Sequence, residues 1–194
     1  MMRKIFSILV LLSLISCNSE IKQPPGVFAK DPPKQSPIVQ SQVWEMDEYF
    51  INAIAQFELK AKVLGKERYR FDRESDIAPY DLALGWGRMS DQKIVDEMEI
   101  WQRGRWFYWK ADNYPIPRKE LERSASNMHI IPATDEVMDE LDDLLVGEII
   151  YIKGYLVSAM SPKDGWRWKS SLSRNDTGGG ACEVIWVEKL LRIK

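Results

Sequence analysis

The feature that most limits what this chain folds into is a period-two alternation of apolar and polar residues that returns repeatedly after about residue 40, interrupted by one strongly capped helix. Phe57, Leu59, Ala61 and Val63 alternate with Glu58, Lys60 and Lys62, the pattern of a strand with one buried face. Further strands are expected from Leu82 to Trp86, Arg105 to Lys110, Glu148 to Ser158, Trp166 to Ser173 and Glu183 to Leu190. Turn-forming runs separate the last three: Ser161-Pro162-Lys163-Asp164-Gly165, then Asn175-Asp176-Thr177-Gly178-Gly179-Gly180. The stretch from Asp135 to Leu145 reads instead as a helix. Thr134 stands at its N-cap, Asp135 and Glu136 suit the positive end of its dipole, and Val137, Met138, Leu141, Leu144 and Leu145 form its apolar stripe before Gly147. A shorter helix is expected from Ser41 to Phe50, with Val43, Met46, Phe50 and Ile54 at helical spacing, and a brief helical or irregular segment opens at Ser90-Asp91. Strands, one capped helix and more strands imply an α+β fold, either a small curled antiparallel sheet or an OB-like barrel.

The opening residues follow other rules. Met1-Met2-Arg3-Lys4 is a basic start, and Ile5 to Ile15 is an apolar run shorter than the roughly 20 residues that cross a bilayer, so residues 1–16 read as a signal peptide. The run ends in Leu14-Ile15-Ser16-Cys17, which resembles the lipobox of bacterial lipoproteins. That resemblance implies cleavage before Cys17 and lipidation of its thiol, and with about 0.8 kcal/mol per buried methylene two or three acyl chains hold the protein at a membrane. Asn18, rather than Asp, follows the cysteine, which in that class goes with the outer membrane, facing the periplasm, where the organism has one. From residue 17 to 40 the chain carries Pro24-Pro25-Gly26, Pro32-Pro33 and Pro37 among polar residues, the composition of a disordered tether. Residues 41–194 remain as a single domain of ordinary size.

Composition narrows the chemistry. The formal charge is -2, and losing Arg3 and Lys4 makes the mature chain more acidic, so nucleic acid is not an expected partner. Lipidation consumes one of the two cysteines, which leaves no second thiol for an intrachain disulfide with Cys182. With His129 the only histidine, no zinc site is expected, and neither a phosphate-binding GK[ST] loop nor GxGxxG is present, so no cofactor is expected. Asp72, Glu74, Asp76 and Asp81 lack EF-hand spacing and read as solvated loop carboxylates. Gly178 to Gly180 reads as a hairpin loop that needs positive φ.

Two aromatic and basic segments stand out: Trp101-Gln102-Arg103-Gly104-Arg105-Trp106-Phe107-Tyr108-Trp109-Lys110, and Trp166-Arg167-Trp168-Lys169 with Arg174 beyond. Such residues stack on rings and contact anions, and they also fill cores. Period two puts Trp166 and Trp168 on one side of their strand and the cations on the other. The leading reading is a binding domain, for an envelope protein or glycan, whose face uses Arg103, Arg105, Trp106, Trp166, Arg167 and Arg174. An alternative is an envelope enzyme with Cys182 as nucleophile and His129 as base; otherwise Cys182 is a small buried residue opening a strand and His129 makes a structural hydrogen bond in a loop. A third reading is a scaffold acting through the acidic helix.

Arg68-Tyr69-Arg70-Phe71-Asp72-Arg73, Asp81-Leu82-Ala83-Leu84-Gly85-Trp86-Gly87, Asn127-Met128-His129-Ile130-Ile131-Pro132 and Asp176-Thr177-Gly178-Gly179-Gly180-Ala181-Cys182-Glu183 together resemble an uncharacterised family of bacterial exported or membrane-associated proteins. The resemblance runs from about Phe57 to Val187 and implies no catalytic or binding residue.

Overall fold

The structure is a computed structural model that describes residues 20–173 and 182–193. Cys17, Arg174 and the Gly178 to Gly180 loop therefore lie outside the described residues. The protein is mixed α and β, with strands dominant. The strands are β1 (Lys34–Ser36), β2 (Val43–Met46), β3 (Tyr49–Arg68), β4 (Tyr80–Gly85), β5 (Glu99–Arg103), β6 (Trp106–Lys110), β7 (Ala125–Pro132), β8 (Ile149–Met160), β9 (Arg167–Lys169) and β10 (Glu183–Ile193). Three short helices, α1 (Gln92–Val95), α2 (Arg118–Ser124) and α3 (Asp135–Asp143), join them, with 3-10 turns at Arg73–Asp76 and Gly87–Ser90. None of the described helices is long and apolar enough to cross a membrane.

One large sheet runs in the order β1-β3-β4-β7-β10-β8-β9, and β3 pairs with β8 as well as β4. The path β3-β4-β7-β10-β8 thus returns on itself. All these pairings are antiparallel except β7 with β10, which is parallel. The 20-residue β3 makes closure possible, pairing with β8 along Phe50 to Lys62 and with β4 along Lys62 to Arg68. Register shifts between Ala53 and Ala55 and between Val63 and Gly65 interrupt the two pairings of β3, and such bulges bend and twist a strand.

The side chains alternate as strands demand. Phe57, Leu59, Ala61 and Val63 of β3 join Leu82 and Leu84, Met128 and Ile130, Ile150 and Ile152, and Ile185 and Val187 in the main core, which α3 covers with Val137 and Leu141. Each fully buried large side chain there contributes about 1.5–3 kcal/mol. The hairpin of β5 and β6 closes a smaller cluster with Phe107 and Trp109 against Leu64, Ile116 and Leu121.

Several expected elements differ, among them the strand expected from Trp166 to Ser173, which is only β9, Arg167–Lys169. The helix expected from Ser41 to Phe50 is the hairpin of β2 and β3, turned at Asp47 with φ 49°. Trp44 and Met46 alternate with the exposed Val43 and Glu45, and Trp44 stacks on Trp186 at 4.6 Å between ring centres. The tether expected over residues 17–40 is, from Glu20 onward, laid along the domain. Ile21 N donates to Val146 O at 2.8 Å, Gln23 N to Gln92 Oε1 at 3.1 Å, and Gly26 N to Asp91 Oδ1 at 2.9 Å. Backbone bonding rather than apolar burial holds this segment, although Ala29 is fully buried. The contact demands a glycine at 147, with φ 91°, because a Cβ there would stand 1.7 Å from Ile21 O. Helix α3 starts as expected, with the Thr134 hydroxyl accepting from Val137 N, but ends at Asp143, where Leu144 turns extended to reach the core.

Candidate functional site

Asp81 organises the site. Leu82 and Leu84 of β4 point into the main core, so Asp81 must project from the opposite face of the same strand. It is 0% exposed, and a buried carboxylate is costly unless it is paired and hydrogen-bonded. Its Oδ1 accepts from Arg105 Nη1 and lies against His129 Nδ1, both at 2.8 Å, and its Oδ2 accepts from Asn127 Nδ2 at 3.1 Å. Register places these partners: His129 faces Asp81 across the pairing of β4 with β7, and Asn127 shares the face of His129 two residues earlier. The reading of Asp81 as a solvated loop carboxylate is therefore corrected, as is the placing of His129 in a loop. Among the described residues no three His, Cys, Asp or Glu side chains are grouped to hold a metal.

Arg105 reaches this centre from the tip of the β5–β6 hairpin. Gly104 and Arg105 form a two-residue turn with φ of 58° and 68°, the left-handed pair that matches strand twist. That φ is uncommon for a non-glycine residue, and the contacts of Arg105 hold it there. Its Nε and Nη2 donate to Asp72 at 2.9 and 2.6 Å, its Nη1 also donates to Ala78 O at 2.9 Å, and its backbone N donates to Tyr69 Oη at 2.9 Å. The guanidinium lies 4.1 Å from the centre of the Tyr69 ring. Burial alone would lower the Arg105 pKa, but the bonds to Asp72 and the charge of Asp81 outweigh it and raise the value. The Arg105 hydrogen bonds hold the Asp72 carboxyl below its ordinary range. A side chain expected on a ligand face is thus mostly spent on internal partners, and only 13% of it is exposed.

A carboxylate at Nδ1 makes that nitrogen the donor, so in the neutral ring the lone pair is on Nε2. Nε2 has no hydrogen-bond partner among the described residues and is not sealed from solvent. The ring packs 4.8 Å from that of Trp168. Both open onto a cavity of about 290 Å³ lined by Glu74, Arg105, Trp106, His129, Trp168, Lys169 and Cys182. Cys182 is half-buried just before β10, two residues before Val184, the register partner of His129. The sequence-expected nucleophile and base therefore line one cavity.

A second hollow, of about 450 Å³, is lined by Trp101, Arg103, Gly104, Trp106 and Tyr108 on the outer face of the hairpin. Trp101 and Tyr108 are cross-strand partners and stack at 5.5 Å with 13° between their planes. Trp106 is 37% exposed and walls both hollows. Of the other residues expected on a ligand face, Trp166 packs away from these hollows against Tyr49 and the Arg73 guanidinium, 5.4 and 4.9 Å distant. Arg167 is exposed on β9 and lines neither hollow. Sequence reasoning missed Asp81, Asn127 and Trp168 as a set. The available signal was a polar residue inside each of two otherwise apolar strand runs, Asp81 before Leu82 and His129 before Ile130. No family model, curated protein or solved structure matches the chain.

Proposed function

We propose that this chain is a lipid-anchored envelope protein whose domain is an OB-like barrel binding an extended glycan along the two hollows that flank Trp106. Support for the anchor is the Leu14-Ile15-Ser16-Cys17 sequence at the end of the apolar run, with outer-membrane placement following from Asn18. Support for the barrel is the strand path that returns through β3 and β8, the parallel β7–β10 pair, and the position of α3 between β7 and β8. In an OB arrangement, oligosaccharides and oligonucleotides bind across the second and third strands, between the first and fourth interstrand loops. On this reading β4 and β7 correspond to those strands, and the loop over residues 69–79 and the segment carrying Trp168 to those loops.

The fold alone assigns no ligand. The observation that carries the reading is Trp106, a shared wall with Trp168 on one side and Trp101 and Tyr108 on the other. Aromatic faces spaced along a groove stack on successive rings of a chain ligand. Nucleic acid is disfavoured because the chain is acidic and Arg105 is already occupied by Asp72 and Asp81.

Calorimetric titration with a hexamer of β-1,4-linked N-acetylglucosamine, beside a single-stranded oligonucleotide, tests the ligand. Sugar binding that disappears in Trp106→Ala at an unchanged melting temperature is expected; oligonucleotide binding alone, or undiminished sugar binding by the variant, overturns the reading. Incorporation of a labelled fatty acid in cells, abolished by Cys17→Ala, is the expected result for the anchor.

A further inference from the structure

We propose that Cys182 is a nucleophile for acyl transfer, with His129 as its base and Asp81 as the residue that positions His129. Three adjacent strands place the trio. Asp81 on β4 faces His129 on β7 in register, and β10, which begins immediately after Cys182, runs parallel along the other side of β7. Glu183 pairs with Met128 and Val184 with His129, so Cys182 immediately precedes the paired stretch beside His129. Both side chains line the cavity of about 290 Å³.

Two observations separate this from a cysteine that merely happens to be near a histidine. His129 is 4% exposed and lines the cavity, and its Nε2 has no hydrogen-bond partner among the described residues. Its Nδ1 is fixed at 2.8 Å from a carboxylate that Arg105 and Asn127 also hold, so tautomer and ring orientation are both set. Lys169 is also among the residues that line the cavity.

The substrate class is an ester or amide carbonyl. Nε2 accepts the Sγ proton, and the thiolate adds to the carbonyl carbon to form a C–S bond. Collapse of the adduct breaks the C–O or C–N bond, and the leaving alcohol or amine takes the proton from Nε2. Water then attacks the thioester, giving one proton to Nε2, which returns it to sulfur as the carboxylic acid departs.

The inference uses the cavity on one side of Trp106 but not the glycan, and the thiol is read with no sugar present, so the two readings fail separately. Iodoacetamide labelling of the full chain, followed by mass analysis of the peptide carrying Cys182, distinguishes that thiol from Cys17. Labelling of native protein should follow a pH midpoint below the roughly 8.5 of an ordinary thiol. His129→Gln should move the midpoint up and slow labelling at pH 7 about tenfold, and Asp81→Asn should do so to a smaller extent. p-Nitrophenyl acetate should release a burst of nitrophenolate and leave an acetyl group on the Cys182 peptide, both absent in Cys182→Ser. A thiol that labels only in denaturant, an unacetylated Cys182, or a His129→Gln profile identical to that of the unmodified chain overturns the proposal. The labelling and acetylation of the unmodified chain decide the matter even if a variant does not fold.

Discussion

Two cations with little exposure, Arg105 and Lys62, are satisfied in different ways. Arg105 forks between two carboxylates, Asp72 and Asp81, and its position forms part of an aromatic cavity. Lys62, 1% exposed, donates to the amide oxygen of Gln92, and Gln92 in turn donates to Asp96 at 2.9 Å and accepts from the backbone of Gln23. Burial lowers the Lys62 pKa, and Asp96, Glu20 and Asp91 oppose that only in part. The hollow beside Lys62, about 530 Å³, is larger and mixes charged residues such as Glu20, Lys22 and Asp96 with apolar ones such as Val95, Met98 and Ile100. The difference teaches what each polar group is for. The Lys62 cluster closes the strap formed by residues 20–30, whereas the Arg105 cluster spends two carboxylates to hold a histidine at the floor of a hollow.

This contrast is sharpest in the response to removing each cation. Arg105→Ala leaves Asp81 buried without its strongest partner and should cost about 3–5 kcal/mol in urea unfolding. Lys62→Met, which keeps the apolar stem and leaves Gln92 bonded to the Gln23 backbone, should change stability by no more than about 1 kcal/mol in either direction. Equal losses would erase the distinction.

The next effect is on pH. The folded pKa of Asp72 is depressed, so its stabilisation is fully present above an ordinary carboxyl value of 3.8 and is lost as pH falls through the lower folded value. Acid unfolding should therefore shift to higher pH in Asp72→Asn, and Lys62→Met should not reproduce that shift. At the other extreme, burial and the bond to Asp142 push Tyr80 up to about 12, so its contribution is complete below pH 10 and declines between 10 and about 12. Tyr80→Phe should flatten the alkaline melting profile over that interval. The smallest effect is expected from Lys163→Ala. Its pair with Glu48 joins side chains 76% and 40% exposed, and its loss should leave the thermal midpoint unmoved in high salt.

Much of the fold was legible where one residue type serves one purpose. The alternation over Phe57 to Val63 marked the middle of β3, and Thr134-Asp135-Glu136 marked the start of α3, because local backbone chemistry decides both. Residues 43–50 misled because Val43, Met46 and Phe50 keep helical spacing, whereas the turn at Asp47 and the pairing of β2 with the start of β3 put Val43 and Met46 on opposite faces of a strand. Strand β7 was missed because its apolar residues are interrupted by Asn127 and His129, whose burial is intelligible only once Asp81 and Arg105 are beside them. The candidate site was legible as a list of residue types and not as an arrangement. Arg105 looked available for a ligand because its neighbours in sequence are aromatic, whereas its neighbours in space are acidic.

Intrinsic tryptophan fluorescence with iodide quenching addresses the groove most directly, because Trp101 and Trp106 are the exposed tryptophans among the described residues. A quenchable, red-shifted fraction that the N-acetylglucosamine hexamer protects, and that shrinks in Trp106→Ala, is the expected result. Quenching that the hexamer leaves unchanged at saturating concentration would contradict a glycan groove centred on Trp106.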